Sequence, residues 1–152
     1  MKIQLMSIAV ALAFSVGAQA QNTTARQVKN ADEDRIEAEY KADKAKCDTM
    51  KDNAKDVCEK EAKGKEKVAK AELKAKTNPT AANQRKVQEA KADAAYDVAK
   101  ERCDDQKGNE KNACEKQAKA EHERAKADIK RADAKNAKTS AGSGSTSRTT
   151  SK

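Results

Sequence analysis

The chain writes the same cysteine-bearing pattern twice, 56 residues apart. Tyr40, Cys47, Asp48, Lys51, Asn53, Lys55, Cys58 and Ala62 recur as Tyr96, Cys103, Asp104, Lys107, Asn109, Lys111, Cys114 and Ala118. Self-similarity at a fixed period is the mark of one supersecondary unit built more than once, and all four cysteines lie inside it. Within each copy the two cysteines are 11 positions apart. On an unbroken helix that spacing leaves them ~16 Å apart along the axis, whereas a disulfide needs Cα atoms within ~7 Å. Either the chain turns between the cysteines of each pair, or each cysteine finds its partner elsewhere.

The flanking residues are those of helices. Ala, Lys and Glu dominate from Thr24 to Lys138, and these are strong helix formers. Between Asp56 and Lys76 five acid-to-lysine pairs stand at i,i+4: Asp56/Lys60, Glu59/Lys63, Glu61/Lys65, Glu66/Lys70 and Glu72/Lys76, each worth ~0.2–0.5 kcal/mol on an exposed helix. Breaks fall at Lys51-Asp52-Asn53, at Thr77-Asn78-Pro79-Thr80 and at Lys107-Gly108-Asn109. Pro79 lacks an amide donor and restricts Asn78, Gly108 suits the left-handed conformation, and Asn53 or Asn109 suits a helix N-cap. The reading is all-α: helices over about 26–50, 54–76, 83–106 and 110–136, forming two tandem disulfide-closed hairpins, elongated, with a disordered C-terminal tail. The divisions are 21–76 for the first hairpin, 77–83 for a linker, 84–138 for the second hairpin and 139–152 for the Ser/Thr/Gly tail.

Residues 1–20 read as a secretory signal peptide: Lys2, an apolar run from Met6 to Val16, and Ala18-Gln19-Ala20 before a mature start at Gln21. That run is too short to span a bilayer, so no transmembrane segment is expected in the mature chain. Export places the four cysteines where disulfides persist, and the periplasm is the expected location. After Ala20 there are 11 large apolar residues and no Phe or Trp, too few for a compact core. The net charge of +8 is spread through interleaved acids and bases, unlike the concentrated basic face of a nucleic-acid binder, so no nucleic-acid partner is expected.

Two connectivities compete. Local pairing, Cys47–Cys58 and Cys103–Cys114, needs the turns that the Asp-Asn and Gly-Asn signals supply, and is favoured. One long hairpin turning at Pro79 would instead nest Cys58–Cys103 inside Cys47–Cys114. In a local hairpin, positions whose numbers sum to 105 lie opposite one another, setting Ile36 across from Ala69 and Tyr40 beside Ala62 and Lys65. Tyr40 and Tyr96 are therefore read as structural anchors. Zinc sites bring cysteines in much closer pairs, so no metal and no cofactor is expected. His122, at the place of Glu66 in the first copy, is read as a solvated side chain. No residue is assigned a catalytic role.

The runs Asp34–Asp48, Asn53–Cys58, Glu61–Leu73 and Ala92–Lys100 resemble small exported Ala/Lys-rich bacterial proteins commonly named "cell envelope biogenesis protein TolA". The likeness to TolA itself is one of composition, with its long helical periplasmic rod. The resemblance implies a cell-envelope protein and no particular activity. The expectation is a non-enzymatic periplasmic helical protein, structural, spacer-like or stress-related. The alternative is a soluble periplasmic binder of envelope polyanions or metal ions through charged helix faces. Individual partners are not legible.

Overall fold

The computed structural model describes residues 19–142, with side chains from 29 to 139, and these residues form four helices and one short 3₁₀ turn. The elements are α1 (Gln19–Cys47), α2 (Asp52–Thr77), α3 (Ala81–Arg102), the 3₁₀ turn Cys103–Asp105, and α4 (Gly108–Gly142). Each helix packs on the next in the chain, α1 on α2, α2 on α3 and α3 on α4. The two bridges are local, Cys47–Cys58 and Cys103–Cys114, with Cα separations of 5.5 and 5.6 Å. The fold is thus all-α with two tandem disulfide-closed hairpins.

The hairpins are also packed against each other, through α2 and α3. Pro79 lies in a three-residue reversal, because Thr77 closes α2 and Ala81–Asn83 open α3. Thr80 caps α3 by accepting from the Asn83 amide at 3.1 Å, and the buried Asn83 side chain donates back to the Asn78 carbonyl at 2.8 Å. The reversal is therefore tied from both sides. The nested alternative was wrong about the bridges, yet its antiparallel pairing of α2 with α3 about Pro79 is present. At the other chain end, Thr139–Gly142 continue α4 and do not belong to a tail; residues 143–152, like 1–18 of the expected signal, lie outside the described residues.

With so few large apolar residues, the core is a thin seam. Ile36, Cys47, Ala62 and Leu73 are buried in the first hairpin, and Val87, Cys103 and Ala118 in the second. Tyr40 is half-buried and lines one small cavity with Ile36, Ala62, Lys65 and Ala69, the neighbourhood that a sum of 105 predicts. Large residues face small ones, so the axes approach closely.

Polar side chains do the rest of the knitting. Of the five i,i+4 pairs expected along α2, Glu66–Lys70 forms at 2.6 Å. Other charges of α2 reach sideways: Lys65 to Asp43 at 3.1 Å and Lys76 to Asp32 at 3.0 Å on α1, Lys60 to Glu101 at 3.3 Å and Lys67 to Asp97 at 3.4 Å on α3. An inner helix has neighbours on both flanks, and an opposite charge there competes with one on its own next turn. Exposed pairs of this kind are individually worth ~0–1 kcal/mol; their number and alternation hold the register.

The two turns share an unusual backbone point. Asp52 has φ 54° and Gly108 has φ 57°, and they are equivalent positions of the repeat. Only glycine, and less readily Asp or Asn, adopts this left-handed conformation without strain. Gly108→Ala is therefore expected to lower stability by ~1–2 kcal/mol and Gly108→Asp by less, as read from urea midpoints; equal effects would show that the constraint does not lie in φ.

Candidate functional site: the stapled turns

What the repeat preserves is the closure of a helix pair at its tip. In the first turn Cys47 is fully buried at the end of α1 and bridges to Cys58 in the second turn of α2. Beside the bridge, Lys55 Nζ pairs with Asp48 Oδ1 at 3.0 Å. In the second turn Cys103 is fully buried, bridges to Cys114, and is flanked by Lys111 Nζ and Asp104 Oδ1 at 2.7 Å. The backbone matches as well, with Met50 N donating to the Cys47 carbonyl at 2.9 Å and Gln106 N to the Cys103 carbonyl at 3.0 Å. Each clasp thus has a covalent and an ionic member, and repetition of the Cys, Asp and Lys positions has one geometric reason.

Both carboxylates titrate below their ordinary value of 3.8, chiefly through the hydrogen bond from the paired lysine, and Lys55 and Lys111 titrate above 10.5 through the same bonds. A depressed carboxylate adds stability above its unfolded value and loses it as pH falls through the folded one. A raised lysine adds stability below its unfolded value and loses it as pH rises through the folded one. The clasps therefore act in full between 3.8 and 10.5. Thermal midpoints are expected to fall below pH 4 and the Asp48→Asn/Asp104→Asn double variant to make that acid limb shallower, the remainder belonging to Asp32, Glu37 and Asp43, whose lysine partners lower them too; an unaltered limb would place the acid sensitivity wholly outside the clasps.

Asn53, expected as a helix cap, has another task. Lys51 is the N-cap of α2 and makes no side-chain capping bond, while Asn53 Nδ2 donates to the Glu101 carbonyl at 3.1 Å. This bond joins the start of α2 to the end of α3, so both stapled tips lie at the same end of the array. Arg102 Nη2 to Glu61 Oε1 at 2.7 Å adds to the junction.

The second hairpin carries one arrangement for which the first has no counterpart. His122 is not solvated as expected; its side chain is 13% exposed, stacked on Tyr96 with ring centroids 4.7 Å apart, and its Nε2 lies 2.7 Å from Asp93 Oδ1. The equivalent Glu66 turns along its own helix to Lys70, and Glu37, equivalent to Asp93, pairs with Lys41 at 2.7 Å. The signal for His122 was available: if Cys103 meets Cys114, positions summing to 217 lie opposite, which sets His122 beside Tyr96 and Asp93. Tyr96 thus has a partner ring, whereas Tyr40 shares a small cavity with Ile36, Ala62 and Ala69.

Among the described residues no group of three or more His, Cys, Asp or Glu is arranged to hold a metal ion, and no helix is long and apolar enough to cross a membrane. Comparison with family models, with curated proteins and with solved structures gives no match.

Proposed function

We propose that the protein is a non-enzymatic, exported helical component of the bacterial cell envelope, serving in the periplasm as a stapled structural spacer. The observation that carries this reading is the duplicated clasp. All four thiols, with the carboxylates of Asp48 and Asp104 beside them, are used to close a turn in both copies. Bridges of this kind persist in oxidising compartments. The carboxylates beside them are drawn toward the ionised form, opposite to the shift that a general acid at neutral pH requires. The resemblance to small exported envelope proteins points the same way.

Recovery of the chain from the periplasmic fraction, with alkylation before lysis and peptide mapping without reductant, tests the reading. The expected product begins at Gln21 and contains Cys47 linked to Cys58 and Cys103 linked to Cys114. Free thiols on a cytosolic chain that retains Met1 would overturn it. A deletion strain challenged with detergent is expected to lose envelope integrity, and to recover it with the wild-type gene but not with one in which all four cysteines are alanine. Recovery with the four-alanine gene would separate the role from the staples.

A further inference from the structure

The α2–α3 pair leaves an apolar window open on one face. Gly64, Val68, Ala94, Ala95, Val98 and Ala99 line it, in a groove of about 680 Å³. Glu39 of α1 and Lys65 of α2 edge the window on its α1 side, and four further charges stand at the corners of the α2–α3 pair. At one end Arg102 Nη2 pairs with Glu61 Oε1 at 2.7 Å, and at the other Lys91 Nζ pairs with Glu72 Oε1 at 2.7 Å. Both acids are on α2 and both cations on α3, and the ends are ~16 Å apart along the helices. An apolar patch with a polar rim marks an interaction site, and this rim narrows the choice of occupant. It carries equal numbers of acids and bases at the corners, so neither a polyanion nor a polycation is selected.

We propose that this window is a self-association face, on which a second copy of the chain docks about a two-fold axis parallel to α2 and α3. Such an axis lays α2 of one copy over α3 of the other at the same height. Glu61 then meets Arg102 of the second copy and Glu72 meets Lys91, and the reverse pairs form by symmetry. Every corner finds an opposite charge, while Val68 and Val98 close over the centre. The other two-fold in the plane of the face, perpendicular to the helices, stacks Glu61 on Glu72 and Lys91 on Arg102, and like charges oppose it. The contact is isologous and closed, giving a dimer and no longer polymer.

Sedimentation equilibrium of the oxidised full chain, over roughly 10 µM to 1 mM so that weak association is seen, tests this. The wild type is expected to move toward twice the monomer mass. The Glu61→Lys/Glu72→Lys variant has four cationic corners and Lys91→Glu/Arg102→Glu has four acidic ones. Each alone is expected to remain monomeric, and an equimolar mixture to form a heterodimer. Circular dichroism verifies that each stays helical. Ala95→Gln, a polar change at an exposed site in the window that adds no charge, is expected to weaken the dimer at least tenfold with the helical signal intact. A wild type that stays monomeric throughout would overturn the proposal and leave the window to a different partner, such as an amphipathic helix. Charge variants that dimerise alone, a mixture that does not associate, or an Ala95→Gln chain that dimerises as tightly as the wild type would overturn it too.

Discussion

Replacing Cys103 and Cys114 together by alanine is expected to lower stability by ~3 kcal/mol, the loop-closure value for a ring of this size, and α4 is expected to be the helix that gives way. The bridge spans 11 positions and its buried end sits in the 3₁₀ turn against which α4 packs. Alanine at Cys103 leaves no unsatisfied polar atom in that buried position. The same substitution at Cys47 and Cys58 removes a bridge of equal span, but α1 has more to fall back on. Ile36 and Leu73 are both buried in the first hairpin, whereas their equivalents in the second are Ala92 and the half-buried Ile129, and the buried Val87, equivalent to Ala31, offsets that loss only in part. Hydrogen exchange should therefore show α4 amides losing protection in the second variant more than α1 amides do in the first. Equal losses would mean that the apolar seam does not set the difference. Reduction of both bridges removes ~6 kcal/mol by the same arithmetic, most of the ~5–15 kcal/mol that a domain possesses.

The repeat made this clasp legible in advance, since the impossible helical distance between the cysteines demanded a turn and the Asp-Asn and Gly-Asn signals marked it. The face of Tyr40 toward Ala62 followed from the same register. The contacts of the first hairpin with the second were harder to see. Asn53 is a good capping residue, and nothing local says that its amide is drawn to a carbonyl 48 positions away. Lys60, Lys65 and Lys76 each have an acid at i−4, and only the presence of flanking helices turns them sideways. His122 was legible through register and was hidden by its type: a lone histidine on a charged helix most often points to water. What local propensity could not supply in each case was the lateral neighbour, which depends on α2 and α3 being packed together.

Gly64 tests that packing most directly. In isolation a glycine in the middle of α2 weakens the helix by ~1 kcal/mol against alanine, so separate hairpins would gain from Gly64→Ala. In the packed array Gly64 is buried, and a Cβ there meets the Ala94 Cβ at 2.9 Å and its Cα at 3.6 Å. The obstacle is the Ala94 Cβ, a side chain with no rotamer to change, so relief comes from moving the helices apart. Gly64→Ala is therefore expected to be destabilising in spite of its better propensity, by ~1–2 kcal/mol, and Gly64→Leu by ~3 kcal/mol, the upper end of the range for overpacking. Separation of the axes also stretches Lys60–Glu101 and Lys67–Asp97, which span the same interface. Ala94→Gly in the Gly64→Ala background frees the contested space, so urea unfolding of the four chains of that cycle should give a coupling of ~1 kcal/mol or more in favour of the double variant. If Gly64→Ala raises stability and Ala94→Gly fails to couple to it, α2 and α3 are not packed as described, and the two stapled hairpins behave as independent units.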